Sequence, residues 1–483
     1  MRKLNLFSLK FQSIENIFNS LPLFQIVSFL LIMSLIFIKN PYLYIYPVFI
    51  PDDVHLFVNH FNRIYNLDNQ YSFYFFYGNA FLFIPNLFAT IFIATLPLEW
   101  VPRAFAIFSL VITTTVSWLF CLRPFSVLVS SRLTRLIICV LLTIQPIGSF
   151  ALQTGLLWQS WNLTILIILF IIIEPFIDNK KWLLIVPIII ISIFSTQASI
   201  IFLPWFMIKG IRLLYAKKYL RFSSYFILSA CTLINFFCGL NFEQYGMGSL
   251  YSQAKLHTHG MIKIGLLTFF PRVFFEGFFS LPLRMILGDM SPMLPFLFSF
   301  LIFLTLCVVI KLAYKKNPNI LEFALFVCYI IISITLLSTY RLALHREIVF
   351  QEKGLRYFYV QKFFLLLLFS ICTYQLIMFL NIRIKAMLTI IIFALAIGCA
   401  ANDNYRRFFI FEDLSYHQYQ EKISKSEKFI IIRDEGIKFA NCLSRVQQIF
   451  TLMKENNQSE SHFCCKELKN LFEIDLINNK DKE

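Results

Sequence analysis

Residues 81–98 read FLFIPNLFATIFIATLPL, and the threading of the whole chain turns on whether this stretch crosses a membrane. Its composition permits a crossing. A crossing there, however, moves the loop carrying Arg123, Arg132 and Arg135 to the outer side and breaks the pattern set by the basic N-terminus. Short loops rich in Lys and Arg collect on the cytoplasmic side of a membrane protein. The stretch is therefore read as interfacial or re-entrant helix inside one long outer loop, 39–103, with its apolar face in the headgroup layer.

Around that decision the chain falls into about eleven apolar spans: 20–38, 104–121, 136–152, 162–178, 182–195, 199–213, 222–240, 291–310, 320–340, 357–380 and 386–401. Most approach the roughly 20 residues that cross a bilayer. The shorter pair 182–195 and 199–213, joined by Ser195-Thr196-Gln197-Ala198, reads as a helical hairpin turning near the outer leaflet. Arg2, Lys3, Lys10, the Arg123–Arg135 loop, Lys180, Lys181, Arg212, Lys217, Lys218, Arg221, Lys311, Lys315, Lys316, Arg383 and Lys385 then all share the side of the N-terminus. The expected topology has a cytoplasmic N-terminus and a periplasmic or extracellular C-terminus, in the plasma (inner) membrane. The first span carries no cleavage signature and is expected to stay in place.

Composition agrees. Of 483 residues, 58% are hydrophobic, 18% aromatic and only 14% charged. A water-soluble fold of this size has no means of burying that much apolar surface, so the fold class is an all-α polytopic membrane protein whose main partner is the lipid bilayer. The net charge of +16 is dispersed over short loops rather than gathered in one patch, which excludes nucleic acid as a partner. All cysteines except Cys442, Cys464 and Cys465 lie in apolar runs, where Cys packs as a small hydrophobe.

On this map the chemistry lies outside. The outer segments are 39–103, 241–290, 341–356 and the polar tail 402–483, and together they hold all seven histidines. The tail reads as a small outer α/β domain, with FIIIRDEG as strand and IKFANCLSRVQQIFTLMKEN as amphipathic helix. Cys442, Cys464 and Cys465 are disulfide candidates there in an oxidising compartment. His257 and His259 in KLHTHG lack a third metal ligand nearby, and His60 reads as a surface residue. Glu174 and Glu322 lie near inner span ends, within reach of water, and read as structural.

The sharpest motif is IPDDVHLF, which places Asp52, Asp53 and His55 at the outer mouth of the first span. Asp favours helix starts, so a solvated cap is the plain reading. The chemical reading is an acid or base, or a pair of divalent-cation ligands, beside a lipid-embedded substrate in a medium of low dielectric. After it come LEWVPRAFAIFSLV, a basic loop, and LTRLIICVLLTIQPIGSFALQ.

Over residues 20–210 this order resembles the GT-C glycosyltransferases, the polyprenyl-phosphate-sugar-dependent class that includes protein O-mannosyltransferases and lipid A aminoarabinose transferases. Asp52 and Asp53 stand where that family carries Asp-Glu. Glu99 and Arg103 match its Glu-x-x-x-Arg before the second span, and Pro146 matches a proline near the outer end of the third. The resemblance implies a GT-C-like bundle over 1–401, with Asp52 as general base for the acceptor and Asp53 beside it. It implies Asp52 and Asp53 as ligands if a divalent cation (Mg2+ or Mn2+) is used, and Glu99, Arg103 and His55 as substrate contacts. The chain departs from the family in QTGLLWQSWN (153–162), which has no acid, and in Gln197, where relatives have Lys.

A second stretch, KGLRYFYVQKFF, puts Lys353, Arg356 and Tyr357 where the tenth span enters the outer leaflet. They read as interfacial anchors, or as a cationic clamp for a departing polyprenyl phosphate, with Arg341 and Arg346 in reserve. The expected activity is transfer of a sugar from a polyprenyl-phosphate carrier to a glycan, lipid or protein acceptor on the outer face. The alternatives are an envelope polysaccharide polymerase or ligase, and a lipid-linked-sugar transporter or flippase. A transporter needs ionisable sites within its spans, and the spans read as nearly uncharged.

Overall fold

The computed structural model describes residues 22–39, 44, 48–49, 53, 56–57, 60, 64, 81–97, 100–144, 155–196, 198–241, 270–278, 291, 293–343, 358–377 and 430–431. Nearly all of these are helical. The principal helices are α1 (Pro22–Lys39), α2 (Phe83–Thr95), α3 (Val101–Trp118), α4 (Arg132–Ile144), α5 (Gln159–Ile173), α6 (Asn179–Ile193), α7 (Leu203–Tyr215), α8 (Tyr219–Asn241), α9 (Met293–Tyr314), α10 (Asn319–Ala343) and α11 (Tyr359–Ile377). Each of the spans expected up to residue 380 coincides with one of them. The last, 386–401, lies outside the described residues, as does the 402–483 tail apart from a two-residue parallel pairing of Ile430–Ile431 with Val48–Phe49.

Among the described residues, 6 helices are long and apolar enough to cross a membrane: those over Val101–Val127, Gln159–Phe176, Tyr219–Cys238, Met293–Tyr314, Asn319–Leu337 and Tyr359–Ile377. Their packing shows the solvent they suit. Helix α5 is the axis of the bundle, with all 15 of its residues buried. Helix α9 is apolar on every side yet buries only Pro295, Ser299, Leu306 and Ala313, leaving Leu297, Leu301, Leu304 and Val308 exposed. A helix that is hydrophobic all round and apolar on its outward face is stable against hydrocarbon and sticky in water.

Hydrogen bonds between helices fix their directions. Trp118 Nε1 donates to Ser28 Oγ (2.9 Å), joining the end of α3 to the start of α1. Lys39 Nζ reaches Thr143 O at the opposite ends of α1 and α4. Gln375 Nε2 donates to Leu128 O (2.7 Å), and Tyr374 OH bonds Ser130 Oγ (2.9 Å), bringing the end of α11 to the turn after α3. Helices α1, α4, α6, α8 and α10 thus rise from one end of the bundle, and α3, α5, α7, α9 and α11 return to it. That end holds Arg123, Arg132, Arg135, Lys180, Lys181, Lys217, Lys218, Arg221, Lys315 and Lys316. Asp53, the start of α5 and the start of α11 lie at the other.

Helix α2, the element on which the threading turned, has 13 residues, about 20 Å at 1.5 Å per residue and short of a roughly 30 Å hydrocarbon core. It buries Pro85, Asn86, Ala89 and Ile93 on one side and leaves Leu87 and Ile91 exposed. It lies antiparallel along the first half of α3, where Phe88 meets Phe108 (ring centroids 3.8 Å apart) and Phe92 meets Phe105 (6.1 Å). Its amino end is sewn to the α6–α7 hairpin turn: Phe83 N–H donates to Phe194 O (3.1 Å) and Ile84 N–H to Ser195 Oγ (2.9 Å).

Within the 241–290 loop, residues Phe270–Phe275 form a π-helical turn that continues into Glu276–Phe278. This piece is packed between α9 and α11. Phe274 meets Phe303 (5.5 Å) and Phe278 meets Phe369 (5.0 Å), both well down their helices.

Candidate functional site

Asp53 is buried. Its Oδ2 accepts the backbone N–H of Leu156 (3.0 Å) and its Oδ1 that of Leu157 (2.9 Å). These amides belong to the turn just before α5, whose N-cap is Trp158, at the end where the helix dipole favours negative charge. The carboxylate thus holds the turn before α5 from 103 and 104 residues away. It closes the first outer loop onto the bundle axis. The sequence reading of the pair as a solvated cap does not hold for Asp53, which is buried on a turn remote in sequence.

Directly behind this turn lies a polar chain inside the bundle. Gln159 Nε2 donates to Gly155 O (3.0 Å), and its Oε1 accepts from Asn162 Nδ2 (2.8 Å) and Thr113 Oγ1 (3.3 Å). Asn162 Nδ2 also reaches Thr113 Oγ1 (2.9 Å), and Asn162 Oδ1 accepts from Tyr359 OH (3.0 Å). All four side chains are buried. Thr164 Oγ1 and Thr196 Oγ1 (2.5 Å) carry the chain to the hairpin turn, where Asn235 Nδ2 donates to Ile193 O (2.9 Å) and Ser199 Oγ (2.8 Å). Thr113 stands 12 residues into α3, so this network lies about 18 Å along the helix axis from the start of α3. It is recessed in the protein, where low dielectric strengthens every polar contact.

His60, read from sequence as a surface residue, is buried. Its Nε2 meets Asn86 Oδ1 (2.8 Å) and its Nδ1 meets Thr90 Oγ1 (3.1 Å). Because Asn86 Nδ2 donates to Phe81 O and Leu82 O, Asn86 Oδ1 is the acceptor and His60 Nε2 the donor. The clamp braces Leu82, which holds φ 52°, a left-handed conformation that side chains larger than Gly adopt only under constraint.

Of the other residues singled out from sequence, Arg103 is half-buried with its guanidinium over the Trp100 ring, 4.7 Å from the centroid. Ten residues before Thr113, it lies about 15 Å along α3 from that residue. Asp52, His55, Glu99, Lys353, Arg356, Tyr357, Pro146 and Gln197 lie outside the described residues. Among the described residues, no three His, Cys, Asp or Glu side chains group to hold a metal ion. Glu174 pairs with Arg221 (2.6 Å) and Glu322 with Lys209 (2.5 Å) at the basic end, as structural ion pairs.

Sequence reading missed one cluster. Lys362, in the first turn of α11, pairs with Glu276 at 2.9 Å, with both side chains almost wholly inaccessible. Arg272 is buried too, its guanidinium 5.5 Å from the Phe358 ring centroid. Gln361 is fully buried, and neither its Oε1 nor its Nε2 has a hydrogen-bond partner. The available signal was a charge inside each of two apolar strings, PRVFFEGFF and YVQKFFLLLL. Ionisable residues at membrane depth are costly, and they mark pathways and sites more often than they serve as filler.

Compared with protein-family models, curated proteins and solved structures, the chain matches none. Its functional reading rests on its own residues.

Proposed function

We propose that the protein is a membrane glycosyltransferase of GT-C type. It moves a sugar from a polyprenyl-phosphate carrier to a glycan, lipid or protein acceptor at the Asp53 end of the bundle. The observation that carries this reading is the attachment of the Asp53 carboxylate to the amides of Leu156 and Leu157, at the head of a recessed polar chain. Asp52 is the neighbour of Asp53 in sequence. Asp52 is the general base. As the sugar–phosphate bond breaks, the acceptor hydroxyl loses its proton to this carboxylate, a contribution of typically ~10²–10⁴-fold. Recession from bulk water limits competing hydrolysis of the activated sugar. Lys353, Arg356 and Tyr357 precede the buried start of α11 and supply charge and hydrogen bonds to the leaving phosphate.

The test is Asp52→Asn, which keeps the shape and removes the proton acceptor. The protein is expected to accumulate normally in the membrane while transfer falls by at least about 10²-fold. Wild-type transfer by this variant overturns the reading.

The Lys362–Glu276 pair favours one competitor, a transporter of lipid-linked sugar, because it supplies the buried ionisable site that the spans were read as lacking. Vesicles loaded with the donor on one leaflet separate the two. A transporter moves label across the bilayer without forming a glycosidic bond, and a transferase forms the bond without moving the carrier.

A further inference from the structure

Around α11, at 100° per residue, Phe358, Gln361, Lys362 and Phe369 fall on one side of the helix. Residues 270–278 pack against that side: Arg272 over Phe358, Glu276 on Lys362 and Phe278 on Phe369. Gln361 shares this side of the helix, its amide sealed from solvent and without a hydrogen-bond partner. An amide left this way costs free energy that an apolar residue of similar size does not. Val360, Phe363, Phe364 and Leu365 around it are apolar and buried, so an apolar side chain suits the position structurally.

The chemistry of Gln361 narrows the ligand. Its amide offers two N–H donors and one carbonyl acceptor. An ionised phosphate satisfies the donors and leaves the carbonyl bare, whereas adjacent hydroxyls satisfy both. Beside it, the charges of Lys362 and Glu276 are directed at each other. We propose that the buried polar cluster of Gln361, Lys362, Arg272 and Glu276 binds the hydroxyl-bearing sugar of a lipid-linked donor, with Gln361 reading two of its hydroxyls. This rests on the glycosyltransferase reading and gives it a sugar-recognising residue. Tyr359, on the adjoining side of the same turn, ties the cluster to the Asn162–Gln159 chain and so to the turn that Asp53 holds.

The test measures thermal stabilisation of the purified full-length protein in detergent by three probes: a hexosyl polyprenyl phosphate, the bare polyprenyl phosphate, and hexose 1-phosphate. The hexosyl lipid is expected to bind wild type more tightly than the bare lipid phosphate does. Gln361→Leu is expected to weaken the hexosyl lipid by about tenfold, to leave the bare lipid phosphate unchanged, and to keep or raise the stability of the unliganded protein. Equal affinity of wild type and Gln361→Leu for the hexosyl lipid overturns the inference alone and leaves Gln361 to an ordered water. Gln361-dependent binding of hexose 1-phosphate with no added affinity from the lipid overturns the lipid source. A wild type indifferent to the hexosyl lipid overturns both this inference and the glycosyltransferase reading. If Gln361→Leu fails to accumulate, Gln361→Met is substituted. Failure of both variants makes Gln361 structural and overturns the inference.

Discussion

The two ends of the bundle spend their polar groups differently. At the basic end the charges finish helices and turns, some with a near neighbour, as Lys181 with Asp178, and some across the sequence, as Lys209 with Glu322. Arg135 donates to the carbonyls of Cys121, Val129 and Ser130, terminating the 3₁₀ turns after α3. Arg221 donates to the Glu174 side chain and backbone and to Asn179, terminating α5. These contacts solve the orphan-carbonyl problem of helix C-termini with cations that also suit the dipole. At the opposite end, polar groups reach across the sequence. Asp53 holds a turn over 100 residues later, Tyr359 meets Asn162 197 positions away, and Lys362 meets Glu276 86 positions away. Polar groups that close locally finish helices. At the opposite end the long-range polar contacts run instead through a recessed interior, where low dielectric strengthens them.

The sharpest way to break this contrast is Lys362→Met. It leaves the Glu276 carboxylate buried beside an apolar side chain, and thermal inactivation in detergent is expected to show a loss of about 3–5 kcal/mol. Adding Glu276→Leu is expected to recover most of that stability without recovering transfer, because a well-packed apolar pair replaces an ion pair at little cost. A neutral Lys362→Met places the pair among the ordinary helix-finishing contacts. Next in size is Asp53→Asn, which keeps one acceptor oxygen and loses the charge assisting two amide contacts. The expected loss is about 1.5–3 kcal/mol, read as a lower midpoint and as faster proteolysis of the first outer loop. An unchanged midpoint detaches Asp53 from the start of α5.

The smallest effect belongs to the basic end. Asp178 accepts from the Lys181 backbone N–H (2.8 Å) and faces its ammonium (3.0 Å). These two contacts, the backbone hydrogen bond first, hold its carboxyl below the ordinary value. A folded value below the unfolded one means that the contribution is complete above the unfolded value of about 3.9 and is lost as pH falls through the folded value. Asp178→Ala is therefore expected to lower the midpoint slightly at neutral pH, with the difference from wild type closing in acid. A difference that persists in acid removes the carboxylate from the explanation.

The sequence by itself determined the helices and their alternation. Apolar length and the side on which Lys and Arg collect are local properties, and a bilayer tolerates no unsatisfied backbone, so each long apolar run becomes a helix. The interfacial or re-entrant reading of 81–98 rested on the side of the basic loops, and the helix there has 13 residues. Two carboxylates in an apolar setting singled out residues 52 and 53, and Asp53 is buried against the turn before α5. Tertiary structure alone decided which polar groups meet. Nothing local marks Leu156 and Leu157 as the partners of Asp53, or Asn86 as the partner of His60. Lys362 in a run of Phe and Leu carries no sign that Glu276 stands opposite. Those pairings arise because α5 occupies the axis and residues 270–278 fold in between α9 and α11, so hydrogen-bond partners are chosen by the packing of apolar faces far apart in the chain.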